Sequence, residues 1–353
     1  MIIARSGEPM AGAATDSPCY RIPALAVMGE RMLLAYDVRA SALDLPGVNG
    51  MAIRHVDDAA ASWSPPRWLR SPEPGWGCGD ASFIVDGDEV LCWYVGSRGL
   101  SFWDDSRPGQ GWQVWLARSS DGGLTWAHDD RSGEIWPDWA GSLFPTSGNG
   151  IRLSSGRLAQ PFVFREAGGD GRVAALALSD DRGQTWRLGE AVAGADESKC
   201  VELPDGRLVL HSRARPHRLV AFSSDGGETF DAPQPDLPDP GCNGGLTALP
   251  DGQLACTLVH PDGVPGEAFT LPDPTGGRGT HSGPDWSARR NLVLRVGRPG
   301  DWGEPHTVDP GPAAYSVCQT LPDGRVAVAW EFGAYEGIRF TVASSSSVSS
   351  GST

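Results

Sequence analysis

The sequence predicts an all-β fold, a six-bladed β-propeller of four-stranded antiparallel blades, and three observations predict it. A short turn recurs as SSDGGLTW from Ser119, as SDDRGQTW from Ser179 and as SSDGGETF from Ser223. An apolar run, a Gly- or charge-bearing turn and a second apolar run also recur, in six places. Finally, 47 Gly and 29 Pro in 353 residues suit many short strands and tight turns, and no long helical period interrupts them. Repeats spaced by roughly 45 to 70 residues point toward propellers or arrays.

Taken along the chain, the six hairpins are ALAVMGERMLLAY, SFIVDGDEVLCWYV, IRLSSGRLAQPFV, VELPDGRLVLHS, LTALPDGQLACTLV and QTLPDGRVAVAW. Each supplies two strands. A third strand follows in WQVWLAR, VAALAL and LVAFS, and each of these runs into an Asp-containing turn. In that turn Asp accepts backbone N–H groups, Gly supplies positive φ and the closing Trp or Phe is an apolar plug. Weaker copies follow MAIRHV as DDAAASW, which lacks its glycine, and NLVLRV as GRPGDW, which is shortened. The sixth unit ends in GIRFTVA with no Asp turn behind it, so the N-terminal MIIARS is expected to supply its fourth strand and close the ring. Residues 1–343 are expected to form one domain, and 344–353 a polar, Ser-rich tail that cannot bury surface.

Strands of a meander alternate in direction, so the hairpin turns and the Asp turns share one rim. Asp121, Asp181 and Asp225 are therefore read as turn-fixing residues. The starts of the first strands, the ends of the second and the starts of the third share the other rim. Nine polar residues collect there: Arg21, Arg39, Asp44, Asp80, Glu197, Arg213, Arg289, Tyr315 and Glu331. Any one of them alone reads as an ordinary solvated or packed side chain. Three arginines from different units aimed at a common axis are another matter, because their mutual repulsion calls for an anion between them.

The net charge of -15 and a pI near 4.8 disfavour nucleic acid or an anionic membrane as partner. Seven scattered cysteines lack metal-type spacing and indicate no disulfide framework. No apolar run is long enough for a secretory signal or a membrane span, so a cytoplasmic or already processed protein is expected, without membrane insertion and as a monomer.

YRIPAL, the series of Asp turns and DESKCVELPDGRLVLHSR resemble the bacterial exo-α-sialidases of glycoside hydrolase family 33, in register from about residue 15 to about residue 342. The resemblance implies that Arg21, Arg213 and Arg289 clamp the carboxylate of a sialic acid, with Arg290 the competing choice for the third arginine. It implies Tyr315 as nucleophile, Glu197 as its partner, Asp44 as acid/base, a role for which a shielded loop position is expected to help keep it protonated, and Glu331 as the residue that steadies Arg21. Arg39 and Asp80 resemble the pair on the C4-hydroxyl side of the sugar. A neutral tyrosine suits a substrate whose anomeric carbon carries a carboxylate. The implied function is hydrolysis of terminal α-linked sialic acid from glycans, without metal or organic cofactor. A related nonulosonic acid of the deaminated type, transfer to another sugar, and a non-catalytic glycan-binding propeller are the alternatives; the last has no use for Tyr315, Glu197 and Asp44.

Overall fold

The computed structural model describes residues 1–58, 61–260 and 288–344. The tail from 345, most of the Gly/Pro-rich loop before Arg289, Trp286 and two positions of the first Asp-turn copy lie outside the described residues. The described strands are all-β apart from one short helix, Ser132–Ile135.

Hydrogen bonding divides the strands of the described residues into five sheets rather than six. The first is the meander Cys19–Met28, Arg31–Arg39, Gly50–Val56 and Arg67–Arg70, and the fourth is Ser198–Glu202, Leu208–Ser212, His217–Ser223 and Gln234–Pro238. Between them, the second sheet gains Gly148–Asn149 as a parallel neighbour of Gly77–Asp86. In the third sheet the first strand is interrupted: Ala140–Pro145 and Ile151–Arg152 pair separately with Leu158–Glu166. The last sheet has eight strands because the long strand His306–Thr320 pairs with Arg290–Arg298 at one end and with Val326–Phe332 at the other. The expected boundary between fifth and sixth units therefore falls inside a continuous strand, which is why separate four-stranded blades are not found throughout.

The chain ends meet as the sequence required. Ile2–Arg5 pairs antiparallel with Gly337–Ala343, matching Ile2 with Arg339 and Arg5 with Gly337. Ile3 and Ala4 are buried there.

The Asp turns are local devices. Asp181 accepts from Ser179 Oγ at 2.8 Å, Gln184 N at 3.0 Å, Thr185 N at 2.9 Å and Thr185 Oγ1 at 2.6 Å, and Asp121 repeats the pattern. Asp225 repeats it through Ser223 and Thr229. The glycine two residues on has positive φ and no room for a side chain. A Cβ on Gly123 would come within 2.6 Å of Leu33, one on Gly183 within 2.6 Å of Leu91 and one on Gly227 within 2.7 Å of Leu176. Each turn thus seats against a leucine of the preceding sheet. The shortened fifth copy is instead a tight hairpin that folds Asp301–Trp302 back on Arg290–Arg298.

Candidate active site

The site lies at the sheet ends opposite these turns, where the first strands are bent. Pairing slips between Arg21 and Ala24, between Gly79 and Ser82, and between Ala313 and Ser316, so three sheets carry a bulge at the same end of the same strand. A bulge re-aims the side chain beside it, and the three so placed are Arg21, Asp80 and Tyr315. Ile22 and Asp80 take positive φ, 56° and 60°. For a β-branched residue that conformation is strained by about 1–3 kcal/mol. Glu331, fully buried, holds the bend by accepting from Ile22 N at 2.9 Å and Arg21 Nε at 3.0 Å. Its other oxygen accepts from Tyr315 N at 3.2 Å, so one carboxylate ties two bulges together.

A cavity of about 200 Å³ opens above. Arg21, Asp44, Asp80, Glu197, Arg213, Arg289 and Tyr315 line it, and Arg39 and Glu331 stand behind that wall. Arg289 reaches the cavity, whereas Arg290 does not. The three arginine guanidiniums sit around one ring: their central carbons are 5.8 Å (Arg21), 5.9 Å (Arg213) and 5.7 Å (Arg289) from the Tyr315 centroid. Glu331 pairs with Arg21 and Glu197 with Arg213, so protein carboxylates offset part of the repulsion that the sequence assigned to a bound anion.

Tyr315 Oη donates to Glu197 Oε2 at 2.6 Å. Arg213 Nη1 donates to that same carboxylate oxygen and, at 2.9 Å, to the phenol oxygen. Burial, then the Glu197 charge, pushes the phenol well above its ordinary pKa, with Arg213 and Arg289 opposing. The neutral phenol is therefore the resting form, with its proton already directed at a base.

Asp44 departs from expectation. A shielded carboxyl was expected, but its side chain is 74% exposed, and Oδ1 accepts from Arg39 Nη1 at 2.6 Å and Arg21 Nη1 at 3.1 Å. Behind it, Arg39 is gripped through Nε and Nη2 by Asp37 Oδ2 at 3.0 and 2.6 Å. Burial raises the pKa of Asp37, and that of Asp80 further still, since Asp37 adds its charge there; Arg39 opposes both shifts.

Sequence reasoning passed over several participants. Asp37 lies two residues before Arg39, hence on the same strand face, and period-two alternation could have found it. Tyr335 was not signalled: its hydroxyl accepts from Arg289 Nη1 at 3.1 Å and its ring lies 4.2 Å under the Arg21 guanidinium. Leu45, Phe102, Trp112 and Phe144 build an apolar wall, and the exposed Trp103 stands beside it. Trp76 is a packing residue, buried against Gly96.

The BNR repeat-like domain family matches residues 49–328. A sialidase of Micromonospora viridifaciens is 34% identical over 348 residues, covering 92% of this chain and 51% of that protein. The chain belongs to the bacterial exo-α-sialidase family. A second member, the sialidase of Bacteroides fragilis, is 28% identical over 325 residues, or 82% of this chain and 57% of its own length. This sialidase-family chain thus spans about half the length of the curated relatives it matches. In structure it is similar to the Hadza microbial sialidase Hz136, with a TM-score of 0.79 at 22% identity over 94% of this chain and 66% of that one, a likeness that concerns the β-propeller fold.

Proposed function

We propose that this chain is a retaining exo-α-sialidase, removing terminal α-linked sialic acid from glycoconjugates through a covalent tyrosyl-glycosyl intermediate. The observation that carries the reading is the 2.6 Å contact of Tyr315 with Glu197 inside a ring of three arginines. Guanidinium forks suit a carboxylate, and the base beside the phenol answers a need that binding alone does not have.

In the first step Tyr315 Oη bonds to the anomeric carbon as its proton passes to Glu197, and the bond from that carbon to the leaving oxygen breaks. Asp44 gives its proton to that oxygen. In the second step water attacks the same carbon, Asp44 takes the water's proton, and the departing phenolate recovers its own from Glu197. Two inversions give net retention. The exposed setting of Asp44 changes how it becomes an acid. A substrate carboxylate on Arg21 would draw away a guanidinium that favours the charged carboxyl and bring a like charge near, and both effects favour the protonated acid. Arg39 and Asp80 would address the C4-hydroxyl side of the sugar, with Asp80 on the cavity wall and Arg39 behind it.

The change of partner within His306–Thr320, from Arg290–Arg298 up to Pro312 to Val326–Phe332 from Ala313, supports reading the eight-stranded sheet as two units, hence six blades in one domain over residues 1–343. The test of function is hydrolysis of an aryl α-sialoside and of a sialylated glycan by the wild type, Tyr315→Phe and Asp44→Ala. An aryl leaving group needs little protonation, so Asp44→Ala is expected to lose far more activity on the glycan. Equal loss on both substrates would remove the acid role, and an active Tyr315→Phe would remove the nucleophile.

A further inference from the structure

Behind the Glu197–Tyr315 pair runs a buried polar chain that the proposed chemistry leaves unused. Glu197 meets Tyr315 and Arg213 through Oε2, while Oε1 accepts from Asn243 Nδ2 at 3.2 Å. The same Nδ2 reaches Ser147 Oγ at 2.9 Å and Ser147 O at 3.5 Å. On the other side of the amide, Asn243 Oδ1 accepts from Lys199 Nζ at 3.0 Å. Lys199 is wholly buried, and its second acceptor is Ser147 O at 2.5 Å. Burial lowers the pKa of this amine to about 7, against the opposing pull of the Glu197 charge. Two acceptors match the two hydrogens of a neutral amine. The backbone of Gly148 closes over the lysine stem, where a Cβ would come within 3.1 Å of Lys199 Cε.

An asparagine amide has nearly the same shape either way round, so its partners decide which end faces a neighbour. A carbonyl turned toward Glu197 would set oxygen against oxygen and free the carboxylate to rotate. A lysine offers donors to Oδ1 and so leaves Nδ2 for Glu197. We infer that Asn243, locked by Lys199, is a positioning residue that holds Glu197 Oε1 so that Oε2 is presented to the phenol of Tyr315. The inference rests on the proposed reaction for its kinetic consequence, and on geometry alone for its effect on Tyr315.

The test combines Asn243→Ala, Lys199→Met and the double variant, each checked for folding by its thermal melt. On an aryl α-sialoside, Asn243→Ala is expected to lower kcat about 10–100-fold and Lys199→Met about 5–20-fold, with KM changed less than about threefold, because the arginines that grip the sugar are untouched. Since Lys199 acts through Asn243, the double variant should be no slower than Asn243→Ala. Should Asn243→Ala fail to fold, Asn243→Ser takes its place. A readout without substrate is the carbon-13 resonance of the phenol carbon bearing oxygen, in protein labelled at its five tyrosines and assigned with Tyr315→Phe. The Tyr315 resonance should move in both single variants. Multiplying losses in the double variant, or an unmoved Tyr315 resonance in both singles, would overturn the inference. A wild type that cleaves no α-sialoside defeats the functional reading instead, and the resonance still decides whether the relay exists.

Discussion

At Asp181 every hydrogen bond to the carboxylate comes from within four residues of chain, whereas at Glu197 the donors are Arg213, Asn243 and Tyr315, up to 118 residues away. Both are acids at the end of a sheet, on opposite rims. The first kind satisfies a turn from its own sequence, so it can be reused in any unit, and its surplus of donors holds the Asp181 carboxyl down at about 2. The second kind is complete only when two sheets have assembled, since Arg213 follows a strand of Glu197's own sheet while Asn243 and Tyr315 come from the eight-stranded one. A repeated carboxylate is thus a part of the scaffold, and an unrepeated one is a part of the chemistry.

Three substitutions would break that division if it is wrong. The largest effect is expected at Tyr315→Phe, with kcat reduced roughly 10³-fold or more on an aryl α-sialoside and the thermal midpoint little changed. Arg289→Lys keeps the charge but loses the planar fork, so KM should rise about 10–100-fold in the same assay. On the opposite rim, Asp181→Ala should lower the melting temperature by about 2–4 °C and leave kcat/KM within twofold, as differential scanning fluorimetry and the assay together would register. A large loss of kcat/KM from Asp181→Ala without unfolding would mean that the two rims are not separate.

Removing residues 1–8 sharpens the comparison from the scaffold side. The buried Ile3 and Ala4 and the pairing with Gly337–Ala343 are lost, so stability in a denaturant titration should fall by about 2–4 kcal/mol. Acid titration gives the smallest signal. The folded carboxyl of Asp181 titrates below its unfolded value, so the stability it contributes is complete above about pH 4 and disappears as pH falls through about 2. Asp181→Ala should make that part of the stability curve less steep and leave its slope elsewhere unchanged, with Asp121 and Asp225 among the carboxyls that supply the remaining slope.

The same contrast governs what was legible in the sequence. The Asp turns, the hairpins and the closing strand were readable because their patterns are local, and Ser, Asp, Gly and Trp at fixed offsets state the whole device. Arg21, Tyr315 and Glu197 could be placed on one rim because strand direction is countable, and their roles came from a resemblance. Tyr335, Asn243 and Lys199 escaped because their significance lies in a partner on another sheet, and no spacing encodes that. Asp44 was placed correctly at the mouth but given the wrong surroundings, since loop exposure depends on how Arg21 and Arg39 rise beneath it. The merger of two units into one sheet likewise turns on whether the chain stays extended and paired throughout His306–Thr320 despite its bulge, which residue types alone do not dictate.

The most direct test of the account is to trap the intermediate. Incubation with a 2,3-difluorinated sialic acid, whose fluorine at C3 slows breakdown of a glycosyl-enzyme, should add one sugar to the protein. Peptide mass spectrometry should then locate it on Tyr315. An adduct on Glu197, or turnover of an α-sialoside with Tyr315 never modified, would contradict it.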